Sequence, residues 1–189
     1  MAALVRCASA TRLSLQRNVR TVKQVTRGLG DAAAYFNFRR AIVGSPDSIN
    51  QNFANHALRT DQPAEPINVN KAKQQHAVYV SELKKLIPEV MEVPFDDRFP
   101  DQVFVEEPAV CLDGAALLTQ MKPASRAKET EPMRPVLESM GFRILEMKEP
   151  GAYLDGGDVM FTGREFLIGL TERTNPVSFV VLASKRSYR

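Results

Sequence analysis

The sequence feature that most constrains the fold is a pair of similar segments about 49 residues apart. In each, an apolar stretch, a turn with glycine and a second apolar stretch follow one another, as in a β-hairpin. The aligned pairs are Glu106 with Asp155, Val110 with Val159, Leu112 with Phe161, Gly114 with Gly163, and Leu117 with Phe166. This period is typical of repeat architectures, so the segments predict a repeated module with a carboxylate at the same strand end. A chance likeness between two hairpins is the competing interpretation.

Helical and strand-like stretches alternate along the chain, which predicts an α/β fold. The predicted helices span residues 69–86 and 128–140, with at most a short one at 49–58. The predicted strands are 40–43, 89–93, 102–105, 110–112, 142–145, 159–161 and 166–168. The polar stretch 44–66 between the first strand and the first long helix predicts a mobile, lid-like loop.

The charge is distributed unevenly between the N-terminal segment and the rest of the chain. The net charge is +3, and residues 1–30 hold six basic residues and no acid, which leaves the remainder at −3. A basic nucleic-acid surface is therefore not indicated for the body of the chain. No apolar run approaches the roughly 18–20 residues of a membrane-spanning helix, so no membrane partner is predicted.

The basic segment 1–30 has the composition of a mitochondrial targeting peptide, because it is rich in arginine and hydroxyl side chains and lacks acids. A basic N-terminus without a targeting role, and hence a cytoplasmic protein, is the alternative. Either interpretation leaves this segment outside the predicted fold. The domain division that follows is 1–30, 38–175 and a C-terminal tail at 176–189.

Cysteine and histidine are scarce. Cys7 and Cys111 suggest no disulfide framework, and Cys111 lies in a predicted strand where a free cysteine usually acts as a small apolar group. His76 falls on the apolar stripe of the helix at 69–86, as expected of a histidine at the edge of the core. The two histidines, His56 and His76, have no metal-ligand spacing, so no metal is predicted. No phosphate loop or nucleophile elbow is present, and no cofactor is predicted.

Carboxylates from two modules suggest a cleft that binds a cation. They are Asp101, Glu106, Glu107 and Asp155. Carboxylates match a planar guanidinium through paired hydrogen bonds, and Arg126 and Arg173 on neighbouring loops could hold the carboxylate of the same ligand. An amino acid with a guanidinium side chain is thus one interpretation. A divalent cation is the competing one, although the arginines would repel it, and a solvated acidic rim is the default.

Several motifs resemble those of dimethylarginine dimethylaminohydrolases, a family of the pentein superfamily. They are residues 55–58, 73–80, 99–107, 123–126, 154–166 and 172–175. The likeness runs from about Phe38 to Asn175. It implies an incomplete pentein-type α/β propeller, an arrangement of repeated modules that agrees with the internal repeat.

The resemblance also implies a reaction and residue roles. The family hydrolyses asymmetric dimethylarginine and monomethylarginine to citrulline and a methylated amine, and so relieves inhibition of nitric oxide synthase. In this chain Leu58 would lie on the lid, and Asp101 would hold the amino acid end of the substrate. Glu106 and Glu107 would lie by the guanidinium. Asp155 would orient the catalytic histidine or the guanidinium, and Arg126 and Arg173 would bind the carboxylate.

The chain departs from the family pattern in two respects. Glu107 stands where the family has aspartate, and the extra methylene displaces a guanidinium-binding carboxylate by about one bond length. The family's histidine base and nucleophilic cysteine lie beyond the position of Asn175, and the likeness stops at Pro176. We therefore expect a catalytically inactive chain that self-associates through uncovered module edges. A non-catalytic binder of methylarginine or of a full-length homologue is the alternative function.

Overall fold

The computed structural model describes residues 2–5, 22–23, 38–57, 66–112, 114–162 and 165–178. The strands are β1 (Ala2–Val5), β2 (Val22–Lys23), β3 (Arg40–Gly44), β4 (Glu89–Val93), β5 (Ala109–Leu112), β6 (Ala115–Leu118), β7 (Arg143–Glu146), β8 (Val159–Phe161) and β9 (Glu165–Ile168). The α-helices are α1 (Gln51–His56), α2 (Val69–Leu86) and α3 (Thr130–Ser139). None of the helices in these ranges is long and apolar enough to cross a bilayer.

Two of the sheets formed by the described residues have the same topology. The first has the strand order β1-β3-β4 and the second β5-β6-β7. In each, the first two strands are antiparallel and the last two are parallel. Parallel neighbours need a long crossover, which α2 provides in the first sheet and α3 in the second. The α/β class predicted from the sequence is therefore confirmed. A module also recurs, although the predicted repeat aligned the β5-β6 hairpin with the β8-β9 hairpin and not with the sheet of β1, β3 and β4.

Side-chain caps begin the helices of the first crossover. The Phe53 amide donates to the side-chain oxygen of Asn50 at the start of α1, and the Lys71 amide donates to that of Asn68 at the start of α2. Each cap satisfies an amide that has no partner within its helix. The predicted helix at 69–86 is confirmed, and α3 lies within the predicted helix at 128–140.

One hydrophobic core joins the first two sheets. It contains Ile42 and Val93 from the first sheet, Ala116 and Leu118 from the second, and the buried face of α3, including Leu137. A second cluster packs Leu117 and Leu154 against the sheet β2-β9-β8. The core thus lies between modules, which brings the loops at their ends together.

The second hairpin is longer than a strict 49-residue repeat predicts. Val110 pairs with Leu117 in β5 and β6, but Val159 pairs with Ile168 in β8 and β9. The counterpart of Leu117 is therefore Ile168, two positions beyond Phe166. Because side chains alternate along a strand, an insertion of two residues leaves the buried face unchanged.

The predicted strand at 102–105 is wrong. Residues 99–107 form consecutive turns, in which the Gln102, Phe104 and Glu107 amides donate to carbonyls three residues earlier. Val103 and Val105 are buried, so their spacing of two imitates the pattern of a half-buried strand. The turns gather three carboxylate-bearing residues into one short loop.

The basic segment is not wholly outside the fold. Strand β1 pairs with β3, and β2 pairs with β9, both in antiparallel register. Val22 and Lys23 are extended in β2. The rest of segment 1–30 and residues 179–189 lie outside the described residues, as do Leu58 and residues 59–65 of the predicted lid. The described part of that stretch contains α1.

Candidate functional site

The loop 99–107 is fixed from both sides. Buried Gln102 donates to the Pro94 carbonyl and accepts from the Asp96 amide, at 2.7 and 2.8 Å. The Glu107 carbonyl accepts from the Thr119 hydroxyl at 2.9 Å and from the Gly156 amide at 2.8 Å. These bonds hold the carboxylates of the loop in place without using the carboxylates themselves.

Asp155 is positioned beside this loop by the glycine that follows it. A methyl group on Gly156 would overlap the Glu106 carbonyl and lie 3.0 Å from that of Ala109. Only glycine allows so close an approach of two backbones. The approach explains why glycine follows the aspartate and why Asp155 reaches Glu107.

A network of hydroxyl groups holds the segment that carries Arg173. Asp158 accepts from the Thr171 hydroxyl at 2.9 Å and from the Thr174 hydroxyl at 2.5 Å. Thr174 in turn accepts from the Asp155 amide at 3.0 Å, and Thr171 accepts from the Arg173 amide at 3.1 Å. The backbone of Arg173 is therefore anchored to the same turn as Asp155.

Four buried carboxylate oxygens of the described residues have no hydrogen-bond partner while the side chains are ionised; a proton on Glu107 would be shared with Asp155. They are Oε2 of Glu106, Oε2 of Glu107 and both oxygens of Asp155. The Nε atom of Arg173 lies 2.9 Å from Oδ2 of Asp155 and forms an ion pair, but its N–H does not point at that oxygen. A buried polar atom without a hydrogen bond is costly, so this cluster is complementary to a donor-rich cation.

Two carboxyl groups of the cluster have raised pKa values and therefore ionise less readily than free carboxyl groups. Burial, aided by the charge of Asp155, raises the pKa of Glu107 to about 7. Burial also raises the pKa of Asp155, although Arg173 and Arg126 oppose the increase. Near neutral pH the pair therefore retains part of a proton. A bound cation would favour the loss of this proton.

Arg126 lies inside the protein in a bidentate pair with Glu129. Its Nε and Nη2 atoms donate to Glu129 at 3.0 and 2.7 Å, and the side chains are 2% and 1% exposed. Burial raises the pKa of Glu129 although Arg126 opposes this shift. The Arg126 guanidinium also lies 5.9 Å from the centroid of Phe104. Two of its donors are thus directed at Glu129 instead of a ligand.

An open cavity of about 580 Å³ is lined in part by Glu106. It is bounded by α1, α2 and the loop 99–107, and its lining includes Phe53, Tyr79 and Phe104. Burial and the charge of Glu106 raise the pKa of Tyr79.

Cys111 and His76 are placed as structural residues. Burial raises the pKa of Cys111 to about 12, so its thiol is protonated at neutral pH. The Nε2 atom of His76 lies 2.9 Å from the Gly44 carbonyl, and since a carbonyl only accepts, Nε2 carries the proton. Across the described ranges, no group of three or more histidine, cysteine or acidic side chains is arranged to hold a metal.

Most of the predicted site residues meet in this structure. Glu106, Glu107 and Asp155 cluster with Arg173, and buried Asp101 acts electrostatically on Arg126 and Glu129. Sequence reasoning missed Glu129, the buried partner of Arg126. The spacing of three between Arg126 and Glu129 was the available signal. The roles of Asp158, Thr171 and Thr174 had no local signal.

Comparison of the sequence with known proteins gives consistent relatives. The chain is 34% identical over 110 residues to a putative hydrolase, DDAH2, from Homo sapiens, a match that covers 58% of this chain and 39% of the relative. It is 35% identical over 105 residues to the N(G),N(G)-dimethylarginine dimethylaminohydrolase of Pseudomonas aeruginosa, covering 56% and 41%. No family model matches the sequence.

A solved structure of the Pseudomonas aeruginosa enzyme, a cysteine-to-serine mutant complexed with citrulline, has a similar fold. The TM-score is 0.70 at 26% identity, and the match covers 80% of this chain and 59% of that one. The chain therefore matches about two fifths of the length of the two curated relatives and 59% of the solved structure.

Proposed function

Because the chain is related to the dimethylarginine dimethylaminohydrolases over the part that it shares with them, we propose that it binds the cationic side chain of methylated arginines. In the complete family arrangement this cation is hydrolysed to citrulline and a methylated amine. The role of the present residues in that reaction is to hold and orient the substrate. The consequence is a place in arginine metabolism and an indirect effect on nitric oxide synthesis.

The observation that carries this proposal is the set of four buried carboxylate oxygens without hydrogen bonds. Glu106, Glu107 and Asp155 present them from two loops. A guanidinium offers planar N–H donors that pair with carboxylates bidentately, and a methylated guanidinium still offers several. Binding would replace unsatisfied buried oxygens with charge-assisted hydrogen bonds, each worth about 1.5–3 kcal/mol.

The charged side chains near the cluster are placed to bind the carboxylate and ammonium groups of an amino acid ligand. Arg173 is 44% exposed and adjoins Asp155, so it can reach a ligand carboxylate. Arg126 acts in the proposal as a buried counter-charge, since its side chain already pairs with Glu129. Asp101, close to that pair, is assigned to the ligand's ammonium group, and Leu58 to the lid.

We propose that this chain does not hydrolyse the ligand. Attack on the guanidinium carbon requires a thiolate, and proton transfer requires a base within reach. Among the described residues, the Cys111 thiol is protonated at neutral pH and packs against the core, His76 donates to a backbone carbonyl, and exposed His56 lies against the Asn52 carbonyl. The chain would then be a non-catalytic binder of methylarginine. Asp155, which the family resemblance assigns to orienting a histidine, would here act on the guanidinium.

Three further proposals concern the assembly and location of the chain. Sheets of the module type described here would close into a propeller when further modules are added. The exposed side chains of Met160 and Leu167, on one face of β8 and β9, would promote self-association. A mitochondrial location would follow if the basic segment 1–30 acts as a targeting peptide.

The test combines binding with turnover. Calorimetry on the purified 189-residue chain should show saturable binding of asymmetric dimethylarginine, and Asp155→Asn should weaken it by about tenfold or more. Glu89→Gln, at an exposed position on β4, is the matched control and should bind normally. Citrulline release should be undetectable beside the Pseudomonas aeruginosa enzyme as positive control. Binding that Asp155→Asn leaves unchanged would refute the site, and clear turnover would refute the non-catalytic assignment.

A further inference from the structure

The open cavity between α1, α2 and the loop 99–107 has the size and lining of a small-molecule site. Its volume of about 580 Å³ lies in the range of such sites, which are mostly apolar with a few polar groups. Ile49 and Phe53 line it beside α1 and on it, and Tyr79 lines it from α2. The Phe53 and Phe104 rings lie 6.2 Å apart between centroids. The proposed binding of methylarginines uses none of the side chains of these two helices.

Glu106 gives this apolar cavity one buried anionic group. Its Oε2 atom is buried and accepts from no donor among the described residues. Its charge acts on Tyr79 across the cavity wall, and together with burial it raises the pKa of the tyrosine hydroxyl. The lining of the cavity includes Glu106 but neither Glu107 nor Asp155. A buried carboxylate in apolar surroundings is costly unless it is paired, so the cavity is complementary to a cation that carries an N–H group.

We propose that this cavity is a second binding site, which takes an amine with an apolar substituent. The ammonium group donates to Glu106, and the substituent packs against Phe53 and Tyr79, whose ring faces also attract the cation. Phe104 contributes less to this attraction, because the Arg126 guanidinium already lies 5.9 Å from its centroid. The ligand needs neither a guanidinium nor a carboxylate. The inference therefore goes beyond the proposed binding of methylarginines, although Glu106 is common to both sites.

The test is calorimetry on the full chain with phenethylamine and with 2-phenylethanol, a neutral molecule of the same size. Phenethylamine should bind saturably, and 2-phenylethanol about tenfold or more weakly, because it forms no charged pair with the buried carboxylate. Glu106→Gln should weaken phenethylamine about 10- to 100-fold through loss of the same pair. Phe53→Leu should weaken it about three- to tenfold, since it removes an aromatic face and keeps an apolar side chain. Phe95→Leu, at an exposed phenylalanine outside the cavity lining, is the matched control and should bind normally.

A pair of variants separates this cavity from the carboxylate cluster. Asp155→Asn should weaken asymmetric dimethylarginine and leave phenethylamine unchanged, and Phe53→Leu should do the converse. Loss of phenethylamine binding in Asp155→Asn would place the amine in the cluster and overturn the inference.

The inference would also be overturned by equal affinities for phenethylamine and 2-phenylethanol, or by the absence of phenethylamine binding to the wild-type chain. If phenethylamine binds as expected and asymmetric dimethylarginine does not, the proposed function alone fails. Should Phe53→Leu fail to fold by circular dichroism, Tyr79→Leu tests the opposite wall, because Tyr79 is 43% exposed and its replacement disturbs the core little. This variant should weaken phenethylamine over the same range.

Discussion

Gly156 shows how one residue shapes the site. The turn after Asp155 passes directly against the loop that carries Glu106 and Glu107, and the Gly156 amide donates to the Glu107 carbonyl at 2.8 Å. The neighbouring Gly157 faces only the Glu107 carboxylate, whose oxygen would lie 3.3 Å from an added methyl group. The two adjacent glycines therefore differ in what an added side chain would contact. At Gly156 it would contact fixed backbone atoms, and at Gly157 it would contact the Glu107 side chain, which can move.

Gly156→Ala should lower the free energy of unfolding by about 3 kcal/mol, because the methyl group forces two backbones apart. Gly157→Ala should cost less than about 1 kcal/mol, since the Glu107 side chain can rotate away. Chemical denaturation of the two variants measures both values, and methylarginine binding by the Gly156 variant should be lost. Equal costs at the two positions would contradict this account.

At the scale of the element, the start of α3 depends on the buried pair of Arg126 and Glu129. Both side chains have left water, and the desolvation of Glu129 is large enough to raise its pKa despite the adjacent guanidinium. A pair of this kind contributes little net stability while intact, but removal of one member leaves the other charge buried and unpaired. The pair therefore fixes the position of Arg126 more than it stabilises the fold.

A double-mutant cycle should show strong coupling between these two residues. Arg126→Met and Glu129→Leu should each lower the free energy of unfolding by about 3–5 kcal/mol, and the double variant should lose much less than their sum. Lys85 and Glu82 have the same spacing on the exposed surface of α2, and their coupling should stay below about 0.5 kcal/mol. Additive losses at Arg126 and Glu129 would be inconsistent with the buried pair.

At the scale of the whole molecule, acidic loops converge because the modules share one core. Ile42 and Val93 from the first sheet pack with Leu118 from the second. The ends of the modules then bring Glu107 and Asp155 together, although 48 positions separate them in the sequence. Folding must bury these carboxylates, so the fold opposes their ionisation.

This burial should make stability fall with rising pH. The pKa of Glu107 is raised from 4.5 to about 7, so between these values the folded chain holds a proton that the unfolded chain has lost. The contribution is present below about pH 4.5 and is lost as the pH rises through about 7. Glu107→Gln should reduce the fall in Tm between pH 5 and 8 by about 2–5 °C, with Glu89→Gln as control. Equal slopes in the two variants would contradict the shift.

The local elements were largely predictable from the sequence. Helix α2 and strand β4 have the predicted bounds, because their periodicity and caps are local properties. The conformation of the loop 99–107 was not predictable, because buried valines at a spacing of two fit a strand as well as consecutive turns. The pairing in the second hairpin was predicted two residues out of register. A loop that is two residues longer leaves the same face of the strand buried, so the pattern of apolar residues does not reveal the added length.

The sequence by itself determined the kind of module, its repetition and the carboxylates that belong to the site. These follow from periodicity, turn glycines and residue chemistry, all of which act over short distances along the chain. Only the tertiary structure decided which of these charges are buried and paired: Arg126 and Glu129 are buried together, Arg173 pairs with Asp155, and four buried oxygens of the ionised carboxylates accept from no N–H group among the described residues. Burial and pairing depend on the packing of distant segments, because desolvation is set by everything that surrounds a group.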